Sequence, residues 1–458
     1  MVDYTAFPVE LWEKNLENVP AQNMVRFQSV SRFARNLVQN SAALQYRIEQ
    51  YCMSTVDGPA FRNIALNEKV EIQKEWHRAW RVFGHASTVQ TIECSGSPTT
   101  CLSVSLRPAY IKPSRRSYDN SLRFVRPPSK LRGVGLKVWT LENLPEFSSR
   151  RFAYDYDQDL LVIVPKSVDD RKVELLILSC TTGETHPLAK SRALLNTYTD
   201  AFQRGSERLL VHADMIAMLS YSHEGYNLWV WDWKRAELLM SMTVTTSNLR
   251  VKDFAFMDAR HVLVLVQVAS GDSRIMVFDC YAPQVSACST DKSVLAVAAF
   301  DLPKQHVHRT AFHTARMRTR LCSKQTPFTS DTRFRWTPHS NIALISLDPY
   351  FKLCIYLIIP LHLLTTRFHD PSIESNTMRP VPWEEWGMHT LTLQTGCEPS
   401  SWSIVGGSRL CAHVPFLGHI YLREVREKAG LFDLTGADWA AMRAPFRATL
   451  VNYRCCLA

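Results

Sequence analysis

Glycine is scarce, 16 residues in a chain of 458, so tight turns have to be made with Asp, Asn and Pro. No Gly-rich phosphate loop, H-E-x-x-H or G-x-S-x-G segment occurs, which removes the strongest short enzyme signatures. The twelve cysteines include no CxxC pair and are scattered from Cys52 to Cys456, so they read as reduced thiols of a cytoplasmic or nuclear protein. The longest apolar run, 353–364, is broken by Pro360 and His362 and falls short of the roughly 20 residues of a spanning helix. Residues 1–20 carry Asp3, Glu10, Glu13 and Glu17 where a secretory signal needs a basic start and an unbroken apolar stretch.

What is present is a composition of 46% hydrophobic and 21% charged residues, enough apolar material for a substantial core. The length predicts a small unit plus a large one. The formal charge of +10 is localised. Segments 107–132 and 308–335 together hold 15 Lys/Arg against Asp119 and Asp331, and the remaining chain has 38 cations against 41 carboxylates. Both segments are rich in Ser, Thr and Pro, so they are expected to be solvated basic insertions, with nucleic-acid binding the weaker reading.

The first 85 residues and the remainder follow different periodicities. Pro8 suits a first helical turn, with Leu11, Trp12 and Leu16 on one side, and Pro20 blocks continuation. A second helix is predicted from about Gln22 with Met24, Phe27 and Val30 inward, and a third in which Phe33 and Leu37 stand four apart. So short a helical trio cannot enclose its own apolar side chains, and a polypeptide partner is the available cover. The stretch Phe7-Pro8-Val9-Glu10-Leu11, then Leu16, Val25-Arg26-Phe27, Val30-Ser31-Arg32-Phe33 and Leu37 to Leu44, resembles an F-box over about residues 5–50. Phe7 stands where the family has leucine, and Lys14-Asn15-Leu16 where it more often has an isoleucine-leucine pair.

Leu44, Ile48 and Cys52 continue at four-residue spacing up to the Asp57-Gly58-Pro59 turn. A further helix from Asn67 carries Ile72, Trp76, Ala79, Trp80 and Phe83 as its apolar stripe, read as a connector docking on the large domain or, alternatively, as a peptide-binding helix. From residue 86 the pattern changes to short β-rich runs. Segments 160–164 with 173–178, 215–219 with 228–231, and 261–266 with 274–278 read as consecutive strand pairs. Each ends in a turn, at Ser179, Asp232 and Asp279, 53 and 47 residues apart. Fainter copies lie at 136–139, 294–300, 342–346 with 353–358, and 410–415 with 419–422. Trp231-Asp232 resembles the dipeptide of WD repeats. The fold class expected is therefore α+β and multidomain: a three-helix F-box (1–50), a helical linker (51–85) and an all-β domain (86–458), most simply a degenerate six- or seven-bladed β-propeller. A β-sandwich or two smaller β domains remain the alternative. With Leu44-Gln45-Tyr46-Arg47-Ile48-Glu49 after the box, then Trp139-Thr140 and the stretch Tyr154 to Val164, the whole is similar to a group of fungal F-box proteins with a propeller-like region.

Catalytic chemistry has weak candidates. Asp155, Asp157 and Asp159 fit a turn between strands, and Glu384 and Glu385 a solvated turn. His306, His308 and His313 lack nearby Cys, Asp or Glu ligands, so no metal or other cofactor is expected. The ending Cys455-Cys456-Leu457-Ala458 matches a prenylation box formally, a pattern permissive enough to arise by accident.

The F-box resemblance implies a non-catalytic role: docking to the adaptor subunit of an SCF-type (cullin-RING) ubiquitin ligase, and through it to cullin. Pro8, Leu11, Leu16, Val30, Phe33 and Leu37 would form or support that surface, although Phe27, Val30 and Leu37 are equally suited to internal packing. The β domain would select an unknown protein substrate, and the basic segments suggest an acidic or phosphorylated one. A non-degradative F-box scaffold and a propeller enzyme are the alternatives.

Overall fold

A computed structural model of the chain describes residues 7–53, 55–61, 63–81, 110–113, 121–126, 135–166, 172–197, 208–221, 225–244, 249–282, 296–303, 314–320, 334–336, 341–348, 354–368, 380–395, 401–404, 409–414 and 419–424. The helices begin where the sequence supplies caps. The Pro8 carbonyl accepts from Leu11 and Trp12 N–H at 3.1 and 3.4 Å to start α1 (Val9–Leu16), and Pro20 does the same for α2 (Ala21–Phe27). The Ser31 hydroxyl accepts from Ala34 N–H at 3.0 Å at the head of α3 (Arg32–Asn40). Buried Ser41 ends α3, and its hydroxyl takes the Leu44 N–H at 3.4 Å as α4 (Ala42–Met53) begins. Leu16, Met24, Leu37, Val38 and Leu44 make one small core. The trio is thus closed by Leu44 and Ile48 of the fourth helix, which is how so short a segment acquires an interior.

The fifth helix, α5 (Leu66–Arg81), packs on α4 around Tyr46, Met53, Phe61, Val70 and Trp76. Its buried face is Val70, Gln73, Trp76 and His77, while Ile72 is only half-buried. That is a rotation from the expected stripe, of which the Ala79 and Trp80 side chains and all of Phe83 lie outside the described residues. The cause is polar pairing. Gln73 Nε2 donates to Thr55 Oγ1 at 2.8 Å and His77 Nδ1 meets Glu49 Oε2 at 2.7 Å, so two polar side chains turn inward with partners.

Six antiparallel sheets follow in chain order among the described residues, each a meander. The first joins β2 (Tyr110–Pro113), β3 (Leu122–Arg126) and β4 (Lys137–Leu141). The second joins β5 (Phe147–Asp155), β6 (Leu160–Pro165), β7 (Lys172–Ser179) and β8 (Ala193–Thr197), and the third β9 (Arg208–His212), β10 (Met215–Tyr221), β11 (Tyr226–Asp232) and β12 (Glu237–Val244). In the fourth are β13 (Leu249–Phe256), β14 (His261–Val268), β15 (Ser273–Asp279) and β16 (Ala298–Asp301). The fifth sheet pairs β17 (Thr314–Arg320), β19 (Ile342–Asp348), β20 (Cys354–Pro360) and β21 (Leu391–Thr395). The last holds β22 (Ser401–Ile404), β23 (Arg409–Val414) and β24 (His419–Glu424). A short β18 (Phe334–Trp336) leaves the fifth sheet to pair with β1 (Thr55–Asp57), which ties the helical region to the β domain.

Leading strands of successive sheets pack on one another, β5 on β9, β13 on β17 and β17 on β22, as blades converging on an axis do. The architecture is therefore a small helical region followed by a large all-β domain of propeller-like, mostly four-stranded sheets. The second strands of the second, third and fourth sheets carry unbroken apolar runs because both their faces are covered: Leu160–Val164, Met215–Leu219 and Val262–Val266 are buried. The repeated turns are equivalent. Cys180, Trp233 and Cys280, each one residue past Ser179, Asp232 and Asp279, donate backbone N–H groups to the carbonyls of Asp159, Asp214 and Arg260 at 2.8, 3.0 and 2.9 Å. The apolar run that could not span a membrane is β20 running directly into α6 (Leu361–Phe368), and among the described residues no helix is long and apolar enough to cross one.

Both basic segments contain strands, a correction to their reading as insertions. Residues 107–132 supply β2 and β3, with Leu122 and Phe124 fully buried, and 308–335 supply β17 and part of β18. Charge counting concealed a period of two: in Arg316-Met317-Arg318-Thr319-Arg320 buried Met317 anchors the strand while the arginines take the alternate positions. The remainder of both segments lies outside the described residues.

Candidate docking surface

The six residues expected to dock an adaptor divide by burial into three groups. Leu16 and Leu37 are 6% and 5% exposed and belong to the helical core, so they support a surface and do not form one. Phe33 is half-buried, edge-on to Trp12 at 6.1 Å; Trp12 also stacks on Phe27 at 6.2 Å and meets Phe7 edge-on at 6.3 Å. Trp12 therefore joins α1, α2 and α3. Pro8, Leu11 (48%) and Val30 (74%) are exposed. With Trp12 and Leu16 inward at a spacing of four, Leu11 is carried about 100° round the helix and outward. Phe7, Val9 and Val25, which the sequence did not single out for docking, are exposed too, at 55%, 49% and 44%. Covering each of these half-exposed side chains would contribute on the order of 1 kcal/mol.

Behind this surface, Asp57 of β1 gathers the linker. It accepts from the Tyr46 hydroxyl, from Gln50 Nε2 at 2.6 Å and from Lys69 Nζ at 2.9 Å. Burial, reinforced by the Asp57 carboxylate, pushes the Tyr46 phenol well above its ordinary value and keeps it a donor.

In the β domain three leading strands meet at one charged cluster. The Arg208 guanidinium on β9 pairs with Asp253 on β13 and donates to the Met317 carbonyl of β17 at 2.6 Å. Buried Asp253 accepts the Met317 N–H at 2.7 Å. Both backbone groups of Met317 at the unpaired edge of β17 are thereby satisfied by side chains of two other sheets. Thr319 Oγ1 adds a bond to the Phe256 carbonyl at 2.7 Å.

The catalytic candidates resolve into turns. Asp155 is buried and accepts from Asp157 N–H at 3.1 Å and Gln158 Nε2 at 3.0 Å. Asp159, at φ 58°, accepts from the Ser179 and Thr181 hydroxyls. Glu384 and Glu385 are exposed on the single-turn α7 (Trp383–Trp386). His306, His308, His313 and Cys455 lie outside the described residues, and among those described no three His, Cys, Asp or Glu are placed to hold a metal ion. Cys52, Cys180 and Cys280 are not in disulfides; burial raises Cys280 to about 12 and Cys180 well above its ordinary value, so neither of these two is an activated nucleophile.

The fourth sheet carries an acid-sensitive pair of turns. Burial opposes ionisation of Asp258, yet His261 and the N–H groups of Arg260 and His261 outweigh it and hold the carboxyl below its usual range. Burial likewise opposes Asp279, and the Arg260 fork at 2.8 and 2.6 Å with the Tyr281 N–H prevails. Depressed carboxyl values give stability that is complete above about pH 4 and lost as pH falls through the folded values. The urea midpoint should hold between pH 7 and 5 and fall below about 4, and Asp279→Asn should make that fall shallower. An unchanged acid slope in the variant would refute the assignment.

No protein-family model matches the chain, and no curated protein sequence does. Among solved structures it is similar to the WD40 domain of Toxoplasma gondii coronin, at 11% identity over 70% of this chain and 67% of that one, with a TM-score of 0.36. It is also similar to the Dos1 propeller, at 12% identity over 71% of this chain and 66% of that one, TM-score 0.33, and to Kluyveromyces lactis Hsv2, at 11% over 54% and 80%, TM-score 0.25. The propeller-like description rests on the strand order and sheet contacts of the chain itself.

Proposed function

We propose that this chain is the substrate-recognition subunit of an SCF-type ubiquitin ligase, with its F-box-like helices docking the adaptor and its β domain presenting a target protein. The observation that carries the reading is a helical unit with a finished core that still exposes Phe7, Val9, Leu11, Val25 and Val30. Five half-exposed apolar groups would supply about 5 kcal/mol before association costs, enough for a specific contact only if the partner groove is preformed. The contribution to ubiquitination is proximity: a target held near a charged conjugating enzyme reacts at high effective concentration.

Leu11 takes no part in the core, so Leu11→Asp should leave folding intact while placing a carboxylate in the interface. Tagged wild-type chain should recover adaptor and cullin, and the variant, with an unchanged circular dichroism spectrum, should recover at least tenfold less. A wild type that recovers neither protein ends the ligase reading. Recovery of the complex without any target whose ubiquitination depends on this chain would favour the non-degradative scaffold.

A further inference from the structure

The fourth sheet shows how an outer edge of this domain takes an added segment. Val381 lies against β16 in parallel: its N–H donates to the Ala299 carbonyl at 2.8 Å and its carbonyl accepts from Asp301 N–H at 2.9 Å. Buried Trp386 then anchors the segment, donating from Nε1 to the Asp301 carbonyl at 3.0 Å and meeting Phe300 edge-on. The outer strand of the second sheet, β8, has no such cover among the described residues. Ile177 N–H donates to the Arg192 carbonyl at 2.9 Å, which with the register fixes the phase of the β7–β8 ladder: Arg192 and Leu194 turn their backbone groups towards β7, Ala193 and Leu195 outwards. Ser191 closes the first outward pair, its hydroxyl donating to the Ala193 carbonyl at 2.8 Å and accepting the Ala193 N–H at 3.4 Å. Leu195 keeps an N–H and a C=O directed away from the sheet and a side chain 71% exposed.

On the edge itself the charges are of one sign. Lys190 and Arg192 are exposed and make no ion pair among the described residues. Arg192, in register with Ile177, falls on the opposite face of the sheet from Leu195. The carboxylate nearest in register, half-buried Glu174 of β7, stands across from Leu195 and shares its face. Cations on an edge guard it against pairing with another copy of the same strand, and the same electrostatics favour a strand of opposite sign. We propose that the outer edge of β8 takes an extended segment of a partner protein in which apolar residues alternate with acidic ones. The apolar side chains lie beside Leu195, on the Glu174 face, and the carboxylates on the Arg192 face, as the period of two requires. Backbone bonds to Leu195 hold the segment, as those of Val381 do on β16, and the alternation supplies the selectivity. This edge is separate from the helical docking surface, and its failure would leave the ligase reading untouched.

The test uses the full-length protein at physiological ionic strength, with a fluorescein-labelled peptide Thr-Val-Glu-Val-Glu-Thr as probe and Thr-Val-Lys-Val-Lys-Thr as its counterpart. Wild type should give a saturable anisotropy change with the first and bind the second at least tenfold more weakly. The Leu195 N–H takes no part in the ladder, so Leu195→Pro removes the outward donor at an edge position that tolerates proline. It should weaken binding at least tenfold with an unchanged unfolding temperature. If that variant fails to fold, Leu195→Asp, at a side chain turned to solvent, decides by the same loss. Lys190→Glu/Arg192→Glu should invert the preference, so that the lysine peptide binds more tightly. An equal charge change on the helices, Lys14→Glu/Arg35→Glu, should stay within twofold of wild type. No binding by wild type, equal binding of the two peptides, indifference to the change at Leu195, an equal loss in the helical control, or a wild-type dimer that Leu195→Pro abolishes would each overturn the proposal.

Discussion

Replacing Asp253 with alanine is expected to lower the stability of the β domain by about 3 to 5 kcal/mol, the range for removing one partner of a buried ion pair. Asp253 is 3% exposed and sits between two sheets other than its own. Its loss leaves the buried Met317 N–H without its acceptor and the Arg208 guanidinium, itself 28% exposed, without this carboxylate. Asp253→Asn keeps an oxygen for Met317 and removes only the charge, so it should fall between wild type and alanine. Arg208→Met combined with Asp253→Ala should be less damaging than the two single losses added together, because each partner is costly chiefly when stranded. Urea midpoints read these differences. A cost below about 1 kcal/mol for Asp253→Ala would mean that the cluster does not hold the three leading strands together.

That cluster was invisible in the sequence for a plain reason. Met317 lies 64 residues from Asp253 and 109 from Arg208, and no period connects them. What could be read was local. The second strands of the middle sheets announce themselves as continuous apolar runs because both faces are covered, and the turns at Ser179, Asp232 and Asp279 recur because one hydrogen bond follows each. Strand β17 was missed because three arginines outweighed a single Met317 in any count of composition, although their alternation was a strand signal. In the helical region Pro8 marked the start of α1, whereas Pro20, read only as a stop, also heads α2, the Ser31 cap was not read, Val30, expected inward, is exposed past the end of α2, and the facing of Leu11 and Leu16 depended on where Trp12 settled. Gln73 and His77 turn inward toward Thr55 and Glu49, with Gln73 bonded through Nε2 while its Oε1 is left without a partner, and hydrophobic periodicity has no means of anticipating such a polar contact.

Trp233→Ala should be comparably severe, about 3 to 5 kcal/mol, but for a different reason. The indole is fully buried between the second and third sheets, edge-on to His186 with ring centroids 4.8 Å apart. Its Nε1–H donates to the Ala213 carbonyl at 3.1 Å, yet Gln158 Nε2 donates to that same oxygen at 2.9 Å, so the carbonyl keeps a partner when the indole is gone. The loss is therefore one of packing, not of hydrogen bonding. Trp233→Phe, which retains most of the ring and surrenders only the N–H, should then cost much less than alanine, whereas a hydrogen-bond origin would make the two alike. The equivalent positions in the neighbouring sheets hold Cys180 and Cys280, far smaller side chains that donate the same backbone bond. Truncating Cys180 to alanine should consequently cost well under half of what Trp233→Ala does, and denaturation of the three variants side by side separates the shared turn from the unshared side chain. Similar losses at both positions would place the stability in the turn, and the tryptophan would be incidental.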